Sequence, residues 1–100
     1  MLHSQPVAVG EPVLVTGTDL RATYQGPDRP SVVERLREDG EVWQSFQVPP
    51  GHLVVMRRPP GYALDWQEWA VTFDPGVGNA AAYVTVTDDP LLVSGPRWME

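Results

Sequence analysis

Cysteine is absent from this sequence, which removes disulfides, thiolate metal sites and a cysteine nucleophile together. Lysine is absent as well. Seven arginines face 13 acidic residues for a formal net charge of -6, and phosphate binding needs a basic stripe, so general affinity for nucleic acid or an anionic membrane is not expected. The lone basic doublet, Arg57-Arg58, is too small to supply such a stripe. Long apolar runs are missing too. No stretch approaches the roughly 18 apolar residues of a membrane span, and Met1-Leu2-His3-Ser4-Gln5-Pro6 lacks the basic and apolar segments of a secretory signal.

Histidine is scarce, and that limits chemistry. His3 and His52 are the available imidazole bases, and neither sits in a sequence context that suggests a nucleophile–base pair. Asp88-Asp89 lacks the alternating acidic loop of a calcium site. Asp65 and Glu68, three apart on a predicted strand, would point to opposite faces and could not converge on a glycosidic bond. Gly76-Val77-Gly78 lies between two predicted strands, where a hairpin loop is expected, not the helix N-terminus of a phosphate loop. The expectation is a chain without catalytic residues, metal or cofactor.

What is present is strand-forming. The 100 residues allow one domain. Fifteen valines and 9% aromatics are interrupted by 11 prolines and 9 glycines, clustered at Gly26-Pro27, Pro49-Pro50-Gly51, Pro59-Pro60-Gly61, Asp74-Pro75-Gly76, Asp89-Pro90 and Gly95-Pro96. Short β-branched and aromatic segments between such turns mark an all-β sandwich or barrel of antiparallel strands. Strands are expected at Val13 to Thr18, Leu53 to Arg57, Tyr62 to Phe73 and Ala81 to Thr87, with Leu91 to Val93 as a final edge. Residues 1–6 are expected to form an N-terminal arm and residues 94–100 a C-terminal tail.

The segment from Ser31 to Val48 has two readings. Ser31 and Glu34 match a capping box ahead of a short helix over 32–39, with Gly40 as its stop. Asp39-Gly40 is also a strong hairpin signal. A two-residue turn there would set Leu36 against Trp43 and Val33 against Phe46, with Glu38 opposite Glu41. The hairpin is the preferred reading.

Strand alternation then sorts the side chains. Val13, Val15, Trp69, Val71, Phe73, Val84 and Val86 form the expected core. Tyr62, Trp66 and Tyr83 fall on the opposite face, where an aromatic set is covered by the same chain, binds a protein, or offers a glycan platform. Trp66 is expected to matter more for binding than for folding. In the tail, Trp98 and Met99 are expected to dock in an apolar groove, on a neighbouring subunit or on the parent domain.

The run Val33-Glu34-Arg35-Leu36-Arg37-Glu38-Asp39-Gly40-Glu41-Val42-Trp43, within residues 32–48, resembles the strand, Asp-Gly turn and Trp-bearing strand of small β-sandwich accessory modules in tailed-phage virions, such as decoration and tail-associated proteins. The resemblance implies a structural role in a symmetric particle, without catalysis. The leading expectation is accordingly a non-catalytic protein-interaction module, a repeated subunit located in the virion, with Tyr62, Trp66, Tyr83, Trp98 and Met99 as its partner contacts. The alternatives are a carbohydrate-binding module using Tyr62, Trp66 and Tyr83, or a monomeric inhibitor or regulator of one cellular protein. Outside a virion, the expected location is the cytoplasm.

Overall fold

A computed structural model describes residues 1–62, 64–76 and 80–89. Its strands are β1 (Leu2–Val7), β2 (Pro12–Leu14), β3 (Leu20–Thr23), β4 (Ser31–Leu36), β5 (Val42–Val48), β6 (Val54–Met56), β7 (Trp69–Pro75) and β8 (Ala82–Thr87). They form two four-stranded antiparallel sheets, ordered β1-β8-β7-β6 and β2-β3-β4-β5. The all-β expectation holds, and among the described residues there is no helix.

The ambiguous segment is a hairpin. Ser31, Val33 and Arg35 are buried while their neighbours along β4 are not, the period of two that a strand requires. The ladder to β5 rewards that alternation, which a helix over 32–39 would break. Val33 pairs with Phe46 as expected, but the register shifts after Arg35, so Leu36 meets Val42 and Trp43 becomes the extra residue of a bulge. The turn explains the shift. Gly40 has φ 87°, and Asp39 stays at negative φ, so the two left-handed residues of a type I′ turn are not both available. Instead Gly40 N–H donates to Arg37 O at 2.9 Å and Arg37 N–H to Glu41 O at 2.8 Å. This is a three-residue loop, a type I turn followed by a left-handed glycine, and the expected facing of Leu36 and Trp43 is lost to it.

Other boundaries move for similar reasons. Residues 1–6 are not an arm, because β1 pairs along its whole length with β8, from Leu2 opposite Thr87 to Val7 opposite Ala82. The strand expected at Val13 to Thr18 stops at Leu14, because Val15 N–H donates to Leu20 O and Thr18 N–H to Val15 O in a turn through Gly17, φ 84°. The strand expected from Tyr62 begins only at Trp69. Leu91 to Val93 and the tail lie outside the described residues.

The core lies between the sheets. Val15, Leu20, Ala22 and Val33 meet Val54, Met56, Trp69, Val71, Val84 and Val86. Of the expected core set, Val13 and Phe73 pack against this cluster from half-buried positions; both lie towards the sandwich margin, and the other five are buried.

Candidate functional site

One end of this core is closed by charge. Arg35 follows Ser31 and Val33 on the inward side of β4 and is only 3% exposed. A buried guanidinium must be paired to be tolerated. Its Nε donates to Asp19 Oδ2 at 2.7 Å and its Nη1 to Gln67 O at 2.5 Å. Asp19 Oδ1 also accepts from Trp69 Nε1 at 3.2 Å, and Asp19 O accepts from Leu36 N–H at 2.8 Å. One aspartate in the β2–β3 turn thus ties β4 to the first residue of β7.

The arginine also builds an aromatic cluster. Its guanidinium lies 3.9 Å over the Trp66 ring, a stacked cation–π contact. Trp66 meets Trp43 edge to face at 4.9 Å and Tyr62 at 5.4 Å, and Trp43 and Tyr62 are 5.6 Å apart. The bulge at Trp43 and the Pro59-Pro60-Gly61 turn before Tyr62 bring these rings together. Arg37 approaches the Trp43 ring at 5.7 Å. Trp66 Nε1 is buried with no hydrogen-bond partner among the described residues, a loss of about 1 to 3 kcal/mol that stacking on Arg35 helps to offset.

Around this cluster runs an open groove of about 690 Å³, whose lining includes Leu14, Thr18, Asp19, Leu36, Glu38 and Asp65 beside Trp43, Tyr62 and Trp66. Its rim is apolar. Of its apolar residues, Leu14 is 63% exposed and Tyr62 43%.

The expected aromatic surface is therefore regrouped. Tyr62 and Trp66 do come together, but their partner is Trp43. Tyr83 sits opposite Asp74 and Pro6, at the far end of its sheet from Trp69, about 17 Å away for five residues of strand. The three do not form one platform. Trp66 is 9% exposed, so it lines the groove from beneath and covers Arg35 and does not stand out as part of an exposed platform. Trp98 and Met99 lie outside the described residues.

Arg35 and Asp19 were not singled out from sequence, although one signal pointed to them. An arginine in the inward register Ser31, Val33, Arg35 demands a carboxylate, but no local pattern says which of 13 acidic residues supplies it. The histidines are elsewhere. His3 packs edge-on against Trp69 at 6.0 Å, and His52 Nδ1 is 3.0 Å from Pro50 O within its own turn.

Fold and groove together define a small two-sheet β-sandwich with an aromatic cleft at one end. No family model matches the chain, and no curated protein or solved structure does so either.

Proposed function

We propose that the chain is a non-catalytic protein-interaction module, a repeated subunit of a larger assembly such as a phage particle, that contacts its neighbour through the groove rimmed by Leu14, Trp43 and Tyr62. The exposed Leu14 and Tyr62 beside a buried Trp66–Arg35 stack carry this reading. Tyr, Trp and Arg are the residues in which binding energy concentrates, and a rigid base beneath them lowers the entropy lost on contact. The non-catalytic part rests on chemistry: the groove holds carboxylates and the Thr18 hydroxyl, and both histidines have neighbours outside it. The rings pack edge to face, an arrangement less suited to stacking a sugar than parallel exposed faces.

Mass in solution across a concentration series tests the proposal. The chain should self-associate, and Leu14→Asp combined with Tyr62→Ala should abolish this with little change in melting temperature. A chain that stays monomeric at every concentration defeats the repeated-subunit reading, and selective binding on a glycan array replaces it with the carbohydrate one.

A further inference from the structure

The aromatic groove and one hairpin tip carry complementary sets of unpaired charge. Among the charged residues that line the groove, Arg35 is committed to Asp19 at 2.7 Å. Glu38 and Asp65 are exposed, and Arg37 has the Trp43 ring as its neighbour at 5.7 Å. Among the described residues none of these three has an ion-pair partner. The groove therefore offers two carboxylates and one guanidinium beside Trp43 and Tyr62.

The turn that joins β3 to β4 is Pro27-Asp28-Arg29-Pro30, exposed at all four residues. Asp28 and Arg29 likewise have no ion-pair partner among the described residues. Proline fixes φ on both sides of this charged pair, so little backbone freedom is lost when the tip is gripped. Proline is also a residue that aromatic-lined grooves accept.

The tip and the groove stand at opposite ends of one hairpin. β3 and β4 pair from Leu20 opposite Arg35 to Thr23 opposite Val32, which sets Asp19, Arg35 and Leu36 of the groove at one end and residues 27–30 at the other. The four steps from Ser31 to Arg35 span about 14 Å of strand, so the tip cannot enter the groove of its own chain. It can enter that of a second copy.

We infer that the Leu14–Tyr62 groove receives the β3–β4 tip of a neighbouring copy, with Arg29 against Glu38 and Asp65, Asp28 against Arg37, and Pro27 and Pro30 against the Trp43 and Tyr62 rings. This rests on the self-association proposed above and names the surface of the neighbour that makes the contact. Unlike patches meet, so the contact repeats head to tail into a ring or a filament. The charge of -6 on each copy opposes approach at long range, but screening over about 8 Å at physiological salt leaves the local pairs to set the register.

The test mixes two variants, each damaged on one side of the contact. Arg29→Glu spoils the tip and keeps the groove; Leu14→Asp with Tyr62→Ala spoils the groove and keeps the tip. Arg29→Glu should weaken self-association at least about tenfold with an unchanged melting temperature, because the residue is an exposed turn position. Each variant should be monomeric at a concentration where the unsubstituted chain assembles beyond a dimer. An equal mixture should form a one-to-one pair and grow no further, since one competent tip and one competent groove remain. A mixture that stays monomeric, or an unsubstituted chain that stops at a dimer, overturns the tip assignment. Association that Leu14→Asp with Tyr62→Ala abolishes but Arg29→Glu leaves intact overturns it too, and leaves self-association through the groove standing. A chain that is monomeric at every concentration defeats both.

Discussion

The sandwich has two seams where its sheets meet, and they are finished differently. At the β1–β2 seam, Gln5 reaches across: its Nε2 donates to Leu14 O at 3.2 Å and its Oε1 accepts from Thr16 N–H at 2.6 Å. His3 packs beside it so closely that a Cβ on Gly17 would come within 2.7 Å of the His3 ring. At the β5–β6 seam no ladder joins the strands, and a groove remains. Side chains can thus stand in for a missing ladder at the edge of a sandwich. The closed side, to which Trp69 is tied by its contacts with His3 and Asp19, should contribute more of the stability than the open side.

Trp69→Ala tests this division most severely. It removes a ring that is buried, bonded to Asp19 and packed against His3, and should cost about 3 to 5 kcal/mol in chemical denaturation. An unchanged denaturation midpoint would break the assignment of stability to this side. Asp19→Ala comes next. It leaves the buried Arg35 without its carboxylate and Trp69 Nε1 without its acceptor, and should cost about 2 to 4 kcal/mol, somewhat below a fully buried pair because Asp19 is partly exposed.

Gln5→Ala against Gln47→Ala compares the seams directly. The first loses two bonds that bridge strands and should cost about 1 kcal/mol; the second alters an exposed side chain at the open seam and should stay within about 0.5 kcal/mol. Equal losses would mean that both seams are structural.

The smallest effect concerns Asp88, next to β8 at the closed side. The N-terminal ammonium donates to its carboxylate and holds its pKa below the ordinary value of 3.8. Since the folded value is the lower one, the contribution is complete above the unfolded pKa and disappears as pH falls through the folded value. A carboxyl-carbon titration should find Asp88 titrating below 3.8, and Asp88→Asn should reduce stability slightly at neutral pH and not at all in strong acid.

Alternation and turn chemistry in the sequence determined the all-β class, the β4–β5 hairpin with Val33 against Phe46, the β7–β8 pairing and most of the core, because those features depend on neighbours in the chain. Tertiary structure decided where each strand ends. Tyr62 to Glu68 has strand-like composition, but β6 pairs only as far as Trp69 and β8 only as far as Ala70, so the described residues upstream, Tyr62 and 64–68, have no ladder to join and lie outside any strand. That loss of alternation is why Trp66 turns under Tyr62 and Trp43, and Tyr83 is left at the other end. The same holds for Arg35 and Asp19: burial of an arginine is visible in the β4 pattern, but its carboxylate lies 16 residues away in sequence and is chosen only when β2, β3 and β4 align. Local periodicity specifies which way a side chain points, and only the pairing of distant strands specifies what it meets.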